Sequence, residues 1–327
     1  MLFLLACHAP FLETRACEDH FSAPGAADCT VPGWDDRDYT VVLPDGYDGS
    51  TPVPLVLALH GGGGNRESAA RVTCTDGESD ASSCLHVQAR ARGWAVVFPD
   101  GVPKWRGSES RSWNAGGGED GWRCVGGTAC EEGSDDVQYF RDLLTDLESR
   151  VNVDVTRIVA TGLSNGGAMS HRLACDLADQ IAAVAPFGGG LQLTTTGTCA
   201  PSRSIPILYT HGVDDPCWPY AGGATDCPIG KDLGNFVSAE RTLDDWKTVR
   251  GCKVDPTEEA LPDTKDDGTS TTRLTWEGCG LTHLRVEGGG HTWPSGYQYL
   301  GERTIGVVPQ DWGNEVLWEF FEEAPGE

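Results

Sequence analysis

ATGLSNGGAMS, residues 160–170, sets a single serine between small residues and a double glycine. The run before it, RIVATG at 157–162, is apolar on both faces, as in a strand buried between two layers. The run after it, GGAMSHRLACDLA, has the spacing of a helix. Ser164 therefore stands at a strand-to-helix turn, and two readings compete for it. A serine just before a helix commonly caps its first amides. Yet Gly162 and Gly166 flank this one in a G-x-S-x-G pattern, which at such a turn lifts the hydroxyl above the sheet edge. Glycine suits a turn too sharp for a bulky Cβ on either side.

Other buried runs extend the pattern: PLVLALH at 54–60, WAVVFPD at 94–100, IAAVAPFGG at 181–189 and IPILYTHG at 205–212. RDYTVVLP at 37–44 alternates and is β-branched, so it also reads as a strand. Helical stripes lie between them. SDDVQYFRDLLTDLESRV opens with a serine cap and an acidic first turn, then places Val137, Phe140, Leu144 and Leu147 on one face. NFVSAERTLDDWKTVRG does the same with Phe236, Leu243 and Trp246, and a last helix lies near DWGNEVLWEFFEE. Strands alternating with helices predict an α/β fold with a doubly wound, mostly parallel sheet. Residues 1–35 are expected to be a signal remnant, tether and N-terminal loop, and 36–327 a single catalytic domain. The Gly-, Trp- and Cys-rich stretch at 105–133 reads as a long structured loop of the functional kind.

The chain has 327 residues, enough for one large domain with a full core. Its net charge of -25 argues against nucleic acid or an anionic membrane as partner. No apolar run reaches the roughly 20 residues of a membrane span. The 13 cysteines include no C-x-x-C and no zinc-like spacing. Close neighbours suggest disulfides instead: Cys17–Cys29, Cys74–Cys84, Cys124–Cys130, Cys217–Cys227 and Cys252–Cys279, with Cys175–Cys199 completing the set. That usage predicts an oxidising, extracellular, cell-surface or periplasmic location. Cys7 is left over at the end of LFLLAC, which resembles the tail of a bacterial lipoprotein signal and makes Cys7 the expected lipid attachment point.

If Ser164 is a nucleophile, it needs a base and a group to orient that base. His171 falls inside the helix pattern, and His283 alternates within the strand LTHLRVEG. His291 follows that strand in EGGGHTWP, on the loop tip where a base is expected. LYTHGVDDPCWPY leaves a buried run with two adjacent carboxylates, Asp214 and Asp215, and at most one can orient His291. LHGGGGN at 59–65 offers inward-turning amides near Gly62, which with the amide of Asn165 would form an oxyanion hole. Neither a metal nor a cofactor is expected.

Taken together, PLVLALHGGGGN, SWNAGG, DDVQYF, TGLSNGGAMS, HGVDDPCWPY and GGGHTWP resemble a family of secreted serine esterases. These are grouped as polyhydroxybutyrate depolymerase-like and feruloyl or acetylxylan esterase-like. The resemblance implies an α/β-hydrolase fold, with Ser164 as nucleophile and His291 as base. The family's H-G-x-x-D-x-x-x-P-Y motif selects Asp215 over Asp214. It also implies hydrolysis of carboxylic esters through an acyl-enzyme, in polyesters of hydroxyalkanoic acids or in the feruloyl and acetyl esters of plant cell-wall polysaccharides. Trp113, Trp218 and Trp293 fall in or beside these motifs and are expected to wall the acyl or sugar group. An acyltransferase on the same scaffold, a peptidase and a non-catalytic binding protein are the rival readings.

Overall fold

The computed structural model describes residues 10–117, 124, 127–195, 199–228 and 235–324. Cys7 lies outside the described residues. The strands are β1 (Thr14–Ala16), β2 (Gly25–Thr30), β3 (Asp38–Leu43), β4 (Val53–Leu59), β5 (Ala95–Pro99), β6 (Val102–Pro103), β7 (Arg111–Ser112), β8 (Val153–Leu163), β9 (Ala183–Phe187), β10 (Ile207–Gly212), β11 (Thr257–Ala260), β12 (Ser270–Trp276) and β13 (Leu281–Glu287). All but β6 and β7, which pair with each other, join one sheet in the order β1-β2-β3-β5-β4-β8-β9-β10-β13-β12-β11. The central six strands, β5 to β13 in that order, run parallel, as the continuous apolar runs predict.

Helices cover both faces: α1 (Arg66–Val72), α2 (Leu85–Arg92), α3 (Thr128–Glu131), α4 (Asp136–Arg150), α5 (Asn165–Asp176), α6 (Ala239–Arg250), α7 (Glu302–Ile305) and α8 (Asn314–Glu323). Every residue of β4 is buried, because its side chains alternate between two cores. Leu55, Leu57 and Leu59 join Phe140, Leu144 and Leu147 of α4 and Trp246 of α6. Val56 and Ala58 join Ala69 and Ala70 of α1 and Leu317, Trp318 and Phe321 of α8. This alternation fixes the register of the sheet, and with it the height at which each strand ends.

Three local expectations are corrected. The cap of α4 is Asp135, whose side chain accepts from the Gln138 amide, rather than Ser134. α6 begins only at Ala239, capped by Ser238, and ends at the left-handed Gly251. The N-terminal segment is not merely a tether. β2 pairs antiparallel with β3, and β1 parallel with β2, so the segment extends the sheet. Its strands are too short and polar to carry a recognisable alternation, but pairing satisfies the backbone of β3 that would otherwise form an open edge. The Cys17–Cys29 bridge ties the same segment together. The other five bridges join Cys74 to Cys84, Cys124 to Cys130, Cys175 to Cys199, Cys217 to Cys227 and Cys252 to Cys279. Among the described residues no helix is long and apolar enough to cross a membrane.

Candidate active site

Ser164 occupies the single residue between β8 and α5. Its φ of 60° is a conformation that non-glycine residues rarely adopt. Such strain, of order 1–3 kcal/mol, persists only where the surroundings over-determine it. Here they do. The Ser164 amide donates to the Phe187 carbonyl at 2.8 Å, and its carbonyl accepts from the Ala168 amide at 2.9 Å. A Cβ on Gly166 would lie 2.5 Å from the Leu59 carbonyl oxygen, and one on Gly162 2.7 Å from the backbone of Gly166. Both flanking glycines are thus required by close approach of β4. Although Ser164 stands at the helix N-cap, its side chain makes no capping hydrogen bond. The hydroxyl instead borders a cleft of about 350 Å³, which His291 also lines.

His291 follows β13 on a loop anchored from three directions. Its amide donates to the Ile305 carbonyl at 2.5 Å, and the Gly290 amide to that of Val307 at 2.9 Å. Its own carbonyl accepts from the Tyr299 hydroxyl at 2.9 Å. The ring Nδ1 donates to Oδ2 of Asp215 at 2.7 Å. Asp215 leaves the end of β10 and is fully enclosed, whereas Asp214 is exposed. The second carboxylate oxygen of Asp215 accepts from the amides of Cys217 and Trp218, both at 2.8 Å. Burial alone would raise the pKa of Asp215. The attraction of His291 and hydrogen bonds from His211 and His291 outweigh it and hold the carboxyl at about 2. Gly188 lies against this pair; a Cβ there would be 3.4 Å from the imidazole and 3.5 Å from the carboxylate.

Beneath Asp215 lies a layer of buried histidines. His211 donates from Nε2 to the Trp218 carbonyl at 2.8 Å and accepts at Nδ1 from the Tyr209 hydroxyl at 2.5 Å. His283 bridges the Tyr209 carbonyl and the Tyr220 hydroxyl. His171 accepts from the Trp246 indole at 3.0 Å and packs edge-on against Tyr209. His171 and His283 are therefore core groups, and burial lowers both to a pKa of about 3.

The glycine run after β4 forms the wall opposite the helix end. A Cβ on Gly61 would meet Cβ of Ser164 at 3.5 Å, and one on Gly62 would meet that of Asn165 at 3.5 Å. The neighbouring amides are engaged: Gly63 donates to the Arg111 carbonyl and Gly64 to that of Gly61. Among the described residues the Gly62 and Asn165 amides have no such backbone acceptor. His60 holds the run from below. Its Nδ1 donates to the Gly61 carbonyl at 2.8 Å, and its Nε2 accepts from the Gly101 amide at 3.0 Å. Burial keeps it neutral, with a pKa of about 3.

The three tryptophans expected to wall the substrate do not line the cleft. Trp113 is fully buried, donates its indole N–H to the His60 carbonyl at 3.0 Å, and exchanges two bonds with the Asn165 side chain through its backbone. Trp218 donates to the Val237 carbonyl and packs on Phe236. Trp293 donates to Asn314 and packs on Phe187 at 4.2 Å. Each indole found an interior acceptor, which lets it bury its whole surface. The aromatic rings that do line the cleft are Tyr297 and Tyr299, with Leu163, Val72 and Leu300 as aliphatic neighbours and Arg71 as a cation. Sequence reasoning missed the tyrosines. Their place depends on distant bonds, such as that of the Tyr297 amide to the Val72 carbonyl.

Residues 34–257 match the model of the Esterase family, described as "Putative esterase". The chain belongs to this esterase family. Feruloyl esterase B of Piromyces equi is 32% identical over 225 residues, covering 67% of this chain and 37% of that protein. Feruloyl esterase C of Emericella nidulans is 30% identical over 292 residues, covering 88% of this chain and 84% of the relative. The chain thus spans only about a third of the length of the first relative and most of the second. Among solved structures, an acetyl xylan esterase from Aspergillus awamori superposes with a TM-score of 0.57 at 14% identity, covering 91% of this chain and 99% of that one. That likeness establishes the α/β-hydrolase type of fold.

Proposed function

We propose that this esterase-family chain hydrolyses carboxylic esters through Ser164, His291 and Asp215. The observation that carries the reading is the 2.7 Å bond from His291 to an enclosed Asp215, with His291 and Ser164 bordering one cleft. In this reading Nδ1–H of His291 is committed to Asp215, so Nε2 is left as the acceptor for the serine proton. Attack of the Ser164 oxygen on the ester carbonyl forms a tetrahedral intermediate. The amides of Gly62 and Asn165 hold its oxyanion, reinforced by the N-terminus of α5. The imidazolium returns the proton to the departing alcohol, and water releases the acyl group by the same route in reverse.

The substrates are esters of plant cell-wall polysaccharide, feruloyl or acetyl, with hydroxyalkanoate polyester as the second class. The names of the relatives favour the first. The cleft, with its tyrosines and aliphatic wall, is suited to an aromatic or short aliphatic acyl group. Six disulfides fit catalysis outside the reducing cytosol. The test compares methyl ferulate, acetylated xylan, poly(3-hydroxybutyrate) and p-nitrophenyl acetate with the unmodified protein and with Ser164→Ala. Turnover of a cell-wall ester by the first and its loss in the second is expected. Full turnover by Ser164→Ala would remove the nucleophile from the scheme.

A further inference from the structure

The hairpin of β6 and β7 is fastened to the glycine run of the cleft. The Gly63 amide donates to the Arg111 carbonyl at 2.8 Å, and the Arg111 amide to the Gly64 carbonyl at 2.9 Å. Asn65 adds a side-chain bond to Glu109 at 3.1 Å. At the other end, the Lys104 amide donates to the Ser110 carbonyl, and the next residue is Trp105. Its indole is 63% exposed, and among the described residues no other Trp, Tyr or Phe side chain stands out into solvent in this way. Exposing so large a ring forgoes the stabilisation its burial would give. Trp113, Trp218 and Trp293, by contrast, each found an interior acceptor.

Trp105 borders an open surface cleft of about 460 Å³. The ring shares it with the carboxylates of Asp35, Asp36 and Glu132, the Thr128 hydroxyl and two cations, Lys104 and Arg106. Arg106 lies 3.9 Å from the Asp36 carboxylate, and the Lys104 ammonium 5.7 Å from the indole centroid. We infer that this cleft is a second binding site, for a neutral sugar chain of the polysaccharide that carries the ester. A pyranose ring presents an apolar C–H face that lies on an indole and hydroxyl donors at its rim. Carboxylates accept from those hydroxyls. A polyester chain has acceptors and no donors along its length, so it would leave the carboxylates of Asp35 and Glu132 without a donor. An acidic polysaccharide would be disfavoured by the chain's net charge of -25. Because the hairpin is bonded to Gly63 and Gly64, a sugar held at Trp105 is registered against the cleft that holds Ser164 and His291. The inference rests on the polysaccharide reading above, but the site itself needs no catalysis.

The test uses xylohexaose, which contains no ester, titrated calorimetrically into the full chain. The unmodified protein should bind it, and Trp105→Ala should weaken binding by roughly tenfold, the order expected from losing one ring contact of about 1.4 kcal/mol. Trp105→Phe should recover part of the loss. On acetylated xylan the same Ala variant should raise KM with kcat little changed. Its turnover of p-nitrophenyl acetate and its thermal midpoint should match the unmodified protein, which excludes misfolding. Absence of xylohexaose binding at millimolar concentration, or equal binding by Trp105→Ala, would overturn the inference. So would a Trp105-dependent attachment to polyhydroxybutyrate film without any to xylohexaose. Loss of sugar binding in Trp105→Ala alongside an active Ser164→Ala would keep this site while rejecting the catalytic scheme.

Discussion

Residues 61–64 and 288–290 are both glycine runs that leave a strand of the parallel core at the candidate site. A Cβ added at Gly62 meets nothing nearer than Asn165 at 3.5 Å, an ordinary contact. One added at Gly290 would collide with the Ile305 carbonyl and come within 2.5 Å of Gly306 Cα. At Gly62 the first run is open, with its amide beside the cleft, whereas a Cβ on Gly64 would collide with the Ser68 hydroxyl. The second is closed, so tightly packed that the backbone itself locates His291. The same residue type thus serves two ends: access to main-chain donors on one side, and exact placement of a side chain on the other.

Three experiments probe this contrast. The largest effect is expected on the closed side. Asp215→Asn should lower ester turnover by about 10⁴, because the amide favours the wrong imidazole tautomer, while folding is largely retained. Steady-state kinetics with p-nitrophenyl acetate would check it, and a loss under tenfold would mean that the closed side places nothing chemically important. Second, Gly290→Ala should cost about 3 kcal/mol or more of stability, whereas Gly62→Ala should cost under about 1 kcal/mol. Urea midpoints measure both, and equal costs would dissolve the distinction.

The third and smallest effect is on acid stability. His60, His171 and His283 each have a folded pKa of about 3 against an ordinary 6.5. The unfolded chain takes up these protons first, so their contribution is complete above pH 6.5 and is lost as pH falls toward 3. Asp215, held at about 2, adds its loss only below its ordinary 3.8. His283→Gln, which replaces one titrating ring behind the closed side, should flatten the slope of stability in that window by up to about 1.4 kcal/mol per pH unit. Urea titrations at several pH values would reveal it, and an unchanged slope would mean that His283 protonates in the folded state.

The contrast also explains what could be read in advance. Strands β4, β5, β8, β9 and β10 announce themselves because a strand covered on both faces must be apolar throughout. Ser164 is legible because its turn demands glycine on both sides. The choice between Asp214 and Asp215 is not legible from the residues alone. It follows from a turn in which the Asp215 amide bonds to the Gly212 carbonyl and faces the side chain inward, a tertiary fact. The tryptophans were misplaced for a similar reason. Proximity to a motif says nothing of whether an indole finds an interior carbonyl, as Trp113 does at His60. The outer strand β11, TEEA, is exposed at every position and carries no apolar signal at all.

The proposed hydrolysis requires that Ser164 be activated by His291. A fluorophosphonate probe followed by peptide mapping tests this directly. A single label on Ser164 is expected, with the labelling rate reduced by about 10³ or more in His291→Ala. Labelling at another residue, or at Ser164 with an undiminished rate in His291→Ala, would contradict it.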